Sequence, residues 1–320
     1  MHSPQPELIP VGISQCLIGD PVRFNAGHKH STLCTGDLGR LFQLVPFCPE
    51  MAIGLGTPRQ TLRLVGDPQA PEVRGSRNPE LEVTEPLQAY GREVAVQNSQ
   101  LCGFIVMQKS PSCGMERVKV YGDNGYPVPG GGRGAFTASL MRSNPLLPVE
   151  EEGRLHDPVL RENFVTRVIV YHRWQQLCQT GLSAAALLDF HSRHKYLLLA
   201  HHQSAYRELG RLLAKLDNSC LDSLGQRYFS QLMQALAKPA HRGSHGNVLM
   251  HMAGYFRKQL SQPERSELVR IIKHYREGHL PLVVPITLLQ HHLLRFPQPY
   301  LAGQVYLQPH PLEMSLRNAL

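Results

Sequence analysis

Three cysteines carry the first chemical signal. Cys16, Cys48 and Cys113 each follow a short apolar run, and each sits among proline, glycine or small residues. Cys48 is followed by Pro49-Glu50, and Cys113 lies between Ser110-Pro111-Ser112 and Gly114. Such segments can turn backbone N–H groups toward an anion or a sulfur. A thiolate is a soft donor, and three of them brought together would hold a zinc ion or three irons of a [4Fe–4S] cluster. Spacing does not choose between these. The absence of any CxxC pair weakens a structural zinc site, and a buried inert thiol is the bland alternative for each cysteine.

The elements that would position these cysteines are short. Residues 9–13, 42–47 and 101–107 are apolar runs of strand length, separated by loops. They predict an α/β unit with a mainly parallel sheet. Ligands of such sheets sit beyond the C-terminal ends of the strands, where the three cysteines fall. Residues 66–78 are polar and proline-rich and read as a loop. Residues 121–134 hold six glycines and two prolines, without the lysine and spacing of a nucleotide P-loop. They predict a backbone-rich loop.

The second half changes character. Asp157-Pro158 is a good cap and first-turn pair for a helix, and Ser183 can cap another. Apolar residues then recur at helical spacing: Leu160, Phe164, Val168 and Tyr171; Tyr206, Leu209, Leu213 and Leu216; Tyr228, Leu232 and Leu236. Val248, Met252, Tyr255, Phe256 and Leu260 continue the pattern, as do Ile271, Ile272 and Tyr275, and a late helix over 288–294 is expected after Pro285. This is an all-α domain. The boundary falls near residues 150–158, giving domains 1–155 and 156–320.

Charge divides at the same place. Residues 1–155 carry 14 Lys/Arg against 15 Asp/Glu, and residues 156–320 carry 19 against 10. A basic half suits a polyanion such as RNA or DNA, although many basic domains are charged for solubility alone. Candidate phosphate contacts are Arg193, Lys195, Arg257, Lys258, Lys273 and Arg276. Tyr196, Tyr206, Tyr255 and Tyr275 could stack on bases, but tyrosines at helical spacing are more often core residues. Fourteen of the 17 histidines fall in this half. Neither the group His191, His194, His201, His202 nor the group His241, His245, His251 has an HExxH arrangement. Hydrogen-bonding histidines are expected there, rather than a second metal site.

Seven cysteines are an odd number, which argues against a fully paired disulfide framework. Cys34, Cys102, Cys178 and Cys220 are expected to be structural. No apolar run approaches the roughly 20 residues of a membrane span. The N-terminus has no basic-then-apolar leader, so a cytoplasmic location is expected.

The motifs also carry a family resemblance. Residues 13–19 (ISQCLIG) with 22–25 (VRFN), then 48–50 (CPE) with 54–59 (GLGTPR), then 109–114 (KSPSCG), resemble the three motifs of the DUF523 family, which includes the thiouracil desulfidases. The glycine-rich loop before Phe136-Thr137-Ala138 also matches, so the resemblance spans about residues 8–150. The second half resembles the DUF1722 family from about residue 190 onward. It does so through His194-Lys195-Tyr196, residues 247–256 (NVLMHMAGYF), 275–278 (YREG), 284–289 (VPITLL) and 304–307 (QVYL).

The resemblance implies a [4Fe–4S] cluster held by Cys16, Cys48 and Cys113, with one open iron that has no protein ligand. It implies non-redox removal of sulfur from 4-thiouracil or 4-thiouridine, free or within tRNA or RNA, giving uracil or uridine and hydrosulfide. Glu50, two residues from Cys48, is the expected proton-handling group, and Ser110 a second polar group that positions water or substrate. Arg23, Arg59 and Lys109 would orient the base or a phosphate, unless each pairs with a nearby carboxylate. The expected partner is a thiolated pyrimidine base, nucleoside or RNA, with no membrane and no protein partner required. The competing reading is a nucleic-acid-binding protein whose metal or iron–sulfur site is structural or sensory, without turnover.

Overall fold

Residues 9–13 are apolar, and with Ser14 they are almost wholly buried, as a central strand covered on both faces must be. They form β1 (Ile9–Ser14). The computed structural model describes residues 8–216, 220–311 and 314–318, and the chain divides into two compact units, Met1–His156 and Asp157–Leu320.

In the first unit β1 is followed by β2 (Phe42–Phe47), α1 (Pro49–Ala52), β3 (Leu62–Val65), β4 (Glu72–Gly75) and α2 (Thr84–Gln97). Then come β5 (Phe104–Val106), β6 (Val120–Tyr121), α3 (Ala135–Ser143) and β7 (Val149–Glu151). The main sheet has the order β2-β1-β5-β7, and all its pairings are parallel. The parallel α/β expectation is therefore met. The C-terminal ends of β1, β2 and β5 lie at one edge of the sheet, because Ser14 is in register with Phe47 and Ile13 with Ile105.

A second sheet, of order β4-β3-β6, was not expected. Residues 66–78 are not simply a loop, because they contain β4, antiparallel to β3. The polar residues of β4 alternate with buried Val73 and Gly75, so one face packs while the other is wet. Leu64, Val73 and Val120 of this sheet cluster with Val83 and Leu87 beside α2.

The second unit is helical, as expected: α4 (Pro158–Gln179), α5 (Ala184–His201), α6 (Gln203–Ala214), α7 (Leu221–Leu236), α8 (Arg242–Gly254), α9 (Gln262–Arg276), α10 (Val283–Arg295) and α11 (Pro299–Ala302). The Asp157 carboxylate accepts from the N–H groups of Val159 and Leu160, and Ser183 accepts from Ala186, so both caps act where the sequence put them. The late helix begins earlier than residue 288. Pro285 lies in the first turn of α10, where a missing N–H breaks no intrahelical bond. Cys178 and Cys220 are exposed rather than core residues. Tyr196 and Tyr275 are buried, whereas Tyr255 is 39% exposed.

Candidate active site

The three cysteines are carried by the three segments that leave the sheet edge. β1 runs into a tight 3-10 turn, Gln15–Ile18, that holds Cys16, and Gly19 closes the turn at φ 106°. β2 ends at Cys48, which is the extended N-cap of α1, with Pro49 at its first position. β5 leads into residues 107–114, where Lys109 takes a positive φ of 61° and Cys113 is buried. The three line one cavity of about 410 Å³ with Arg23, Lys29, Glu50, Lys109 and Ser110.

The third loop is anchored from several sides. The Ser110 hydroxyl oxygen accepts the N–H groups of Ser112 (3.2 Å) and Cys113 (3.1 Å), which folds the loop around Pro111. Thr137 donates its hydroxyl to the Cys113 carbonyl at 2.6 Å. The N–H groups of Gly134, Ala135 and Phe136 reach the carbonyls of Gly114, Pro111 and Ser112. That approach requires glycine at 134, because a Cβ there would lie 2.5 Å from the carbonyl carbon of Ser112. The glycine-rich stretch thus serves to bring the start of α3 against the Cys113 loop. Buried Glu151, at the end of β7, accepts the Met115 N–H at 2.9 Å and fixes the far side.

Glu50 sits in the first turn of α1 and is held at both oxygens. Oε2 accepts from Arg59 Nε at 2.7 Å, and Oε1 accepts from the Ser112 hydroxyl at 2.8 Å. Its side chain is 16% exposed and that of Arg59 only 8%. Arg59 also donates to the carbonyls of Gly56 (2.6 Å) and Val22 (2.9 Å). Its guanidinium is therefore committed to Glu50 and to the backbone, while Arg23 and Lys109 line the cavity. Ser110, Glu50, Arg23 and Lys109 meet at one place, with Arg59 directly behind Glu50.

Four contributors were missed in the sequence: Ser14, Ser112, Glu151 and Lys29. Ser14 accepts the Met107 N–H at 2.9 Å and hydrogen-bonds the Cys113 sulfur. Ser112, wholly buried, binds Glu50. A serine in a turn motif gives no sign of whether it caps the backbone or reaches a carboxylate 62 positions away. The acidic run 150–152 was the one available hint, since three buried glutamates must each find donors.

Burial raises all three thiols. Cys16 is pushed up to about 11 by burial and by its neighbour Cys48. Burial also raises Cys48, and it raises Cys113 well above the ordinary thiol value, with Glu50, Cys16 and Cys48 adding to the effect. Three sulfurs that repel one another as thiolates are a donor set that calls for a soft cation. Among the described residues no three His, Cys, Asp or Glu side chains come close enough to grip a single metal ion. Three soft sulfur donors lining one cavity fit an iron–sulfur group by their chemistry. Cys34 and Cys102 are fully buried in the same unit.

Comparison with known proteins gives the following matches. Residues 11–152 match the family model described as 2-thiouracil desulfurase, and residues 195–311 match one described as protein of unknown function DUF1722. The "Uncharacterized protein YbgA" of Escherichia coli (strain K12) is 36% identical over 159 residues, which is 49% of this chain and 94% of that protein. A solved structure of a [4Fe-4S]-dependent thiouracil desulfidase, TudS, is 29% identical and covers 48% of this chain and 97% of its own, at a TM-score of 0.36. No helix among the described residues is long and apolar enough to cross a membrane.

Proposed function

We propose that this chain, whose residues 11–152 match the 2-thiouracil desulfurase family model and whose residues 195–311 match the DUF1722 model, hydrolyses the carbon–sulfur bond of a thiolated pyrimidine. The substrate we favour is 4-thiouracil or 4-thiouridine, free or within tRNA or an RNA fragment. Water is consumed, the thiocarbonyl becomes a carbonyl, and sulfur leaves as hydrosulfide. The single observation that carries this reading is the convergence of Cys16, Cys48 and Cys113 with Glu50 on one cavity.

In this reading Cys16, Cys48 and Cys113 hold a [4Fe–4S] cluster. When bound, it supplies an iron without a protein ligand, a soft Lewis acid for the thiocarbonyl sulfur. The remaining work falls to side chains. Glu50 takes a proton from the attacking water, or passes one to the ring nitrogen beside C4. Arg59 and Ser112 each occupy one lone pair of its carboxylate. Arg59 Nη2 also lies 2.7 Å from Oε2, so it is Oε1 that keeps a lone pair free for the proton, and the carboxylate cannot swing away. Ser110 holds the Cys113 loop through two N–H groups, and its own O–H can donate into the cavity it lines. Arg23 and Lys109 supply positive charge on the cavity wall, suited to a base carbonyl or a phosphate. The basic charge of residues 156–320 supports a role for the helical unit in binding RNA.

The test uses the full chain, reconstituted anaerobically and assayed for iron and acid-labile sulfide. Loading of about four of each matches a four-iron cluster. The loaded protein is then given 4-thiouracil, 4-thiouridine, 2-thiouracil and 4-thiouridine-containing tRNA. Sulfide release that is lost in Glu50→Gln, with iron content unchanged, is the expected result. RNA binding without sulfide release from any of them would overturn turnover and favour a structural or sensory cluster.

A further inference from the structure

A second cavity, of about 400 Å³, lies within the helical unit between α4 and α5. Its polar lining is Arg173 and Gln176 from α4, Thr180 just after it, and Asp189, Arg193 and His194 from α5, with Val305 also on the wall. Residues three and four apart share a helix face, so the cationic groups of both helices point to one space.

Two polar atoms here are buried and have no hydrogen-bond partner, Arg173 Nη1 and His194 Nε2. A buried donor or acceptor left unsatisfied is costly. The His194 ring is only 3% exposed. It stacks on Phe190 at 4.0 Å between centroids, and its Nδ1 lies 2.7 Å from the Phe190 carbonyl. A carbonyl only accepts, so Nδ1 carries the proton. Nε2 of the neutral ring is then a bare lone pair. The opposing group Asp189 is exposed and only loosely paired, 4.0 Å from Arg193 Nη1. Cations thus dominate the lining, and Arg173 and Arg193 repel each other across it.

Two guanidinium groups call for an oxyanion, whereas a bare imidazole nitrogen calls for a hydrogen-bond donor. One ligand class supplies both. We propose that the cavity between α4 and α5 binds a phosphate that retains an O–H, free or as a monoester, with Arg173 and Arg193 donating to its oxygens and His194 Nε2 accepting a hydrogen bond from that O–H. The monoanion of a phosphomonoester carries an O–H that ionises with a pKa near 6, so it is this monoanion that the site takes. Sulfate and an internal phosphodiester have none near neutral pH. For them His194 would have to take up its own proton, which burial opposes by pushing the ring down to about 3. The site therefore distinguishes a terminal phosphate from the backbone of a polynucleotide. It lies wholly within residues 157–320 and does not depend on the cysteine cavity or its cluster.

Isothermal titration of the full chain at about pH 6, where the monoanion of a phosphomonoester is abundant, tests this, with inorganic phosphate, sulfate, uridine 5′-monophosphate and the diester UpU as probes. The variant is Arg193→Gln, an exposed position whose change should leave the melting transition in place. The expected result is one phosphate per chain, sulfate at least ten-fold weaker, and phosphate weakened at least ten-fold in Arg193→Gln. If uridine 5′-monophosphate binds with the same dependence on Arg193, the occupant is the terminal phosphate of a nucleotide or RNA end. If it does not bind while phosphate does, the occupant is free phosphate. Equal affinity for phosphate and sulfate, Arg193-dependent binding of UpU, or unchanged phosphate binding by a folded Arg193→Gln chain overturns the proposal.

Discussion

The Ser112 hydroxyl donates to Glu50 Oε1 at 2.8 Å, and so ties the loop that carries Cys113 to the helix that follows Cys48. Two of the three thiols and the carboxylate between them become one rigid piece. Ser112→Ala removes this tie without touching any sulfur. A hydrogen bond to a charged group contributes about 1.5–3 kcal/mol, so kcat/KM for desulfuration should fall roughly 10- to 100-fold. Iron content should stay at the parental level. A variant that loses iron in proportion to activity would show that Ser112 serves the cysteine loop and not the carboxylate.

Arg59 bears on the same carboxylate from the other side. Its side chain is nearly buried, and Arg59→Ala would strand Glu50 in a half-buried site. Removing one partner of such a pair destabilises, because the remaining charge loses its compensation. Chemical denaturation of the N-terminal unit in the full chain should show a loss of about 2 kcal/mol. Glu50→Gln should cost less stability and more activity. The double variant Arg59→Ala/Glu50→Gln should recover part of the lost stability and none of the activity. If Arg59→Ala is as stable and active as the parent, Arg59 is not the group that holds Glu50.

Much of this site was legible because its cysteines follow apolar runs that had to be strands, and strands of a parallel sheet deliver their loops to one edge. Two helix caps of the second unit, Asp157 and Ser183, were legible for a local reason, a side chain reaching an N–H two or three residues on. What stayed hidden was long-range. The partners of Glu50 are nine and 62 positions away, and no spacing rule connects them. β4 was hidden because its charged Glu72 and Arg74 look like loop residues until the wet face of the second sheet is known. The phosphate-binding role proposed for Arg173 and Arg193 was half visible. Arg193 stood among the basic residues, but Arg173 was masked by the aromatic stripe of α4.

Gly134 offers a test of what the glycine-rich loop does. A methyl at this position would meet the carbonyl oxygen of Ser112 at 2.6 Å and the Cys113 nitrogen at 2.7 Å, both backbone atoms that cannot rotate away. Overpacking of this kind costs about 1–3 kcal/mol. Gly134→Ala should therefore push the Cys113 loop out of register. Iron per chain after anaerobic reconstitution should fall well below the parental value. Gly130→Ala meets no atom within 4 Å, although its φ of 94° adds local strain, so it should keep its iron. Equal iron loss in both variants would mean that the whole loop, and not this one approach, secures the site.

The helical unit should be acid-labile, and its histidines give the reason. Burial pushes His194, which faces Arg173, Arg193 and His191, down to about 3. It pushes His245 down to about 3 as well, where Arg317, His201 and His241 outweigh the carboxylate of Glu162. His245 is also hydrogen-bonded to Tyr306 Oη at 2.9 Å. Both rings are neutral when folded and titrate near 6.5 when unfolded. Their contribution is therefore complete above pH 6.5 and is lost as pH falls from there toward 3. At pH 5 the loss is about 2 kcal/mol for each ring. Glu162 adds to the slope lower down. Burial works against its charge, yet Arg317 and His310 hold it down to about 2, so its contribution fades between pH 4.5 and 2. Thermal melts of the full chain in phosphate-free buffer should show the transition of the helical unit falling steadily below pH 6.5. His245→Gln should start from a lower melting temperature at pH 7 and show a shallower decline. A parental transition that stays flat from pH 7 to 5 would mean that these rings are protonated in the folded state.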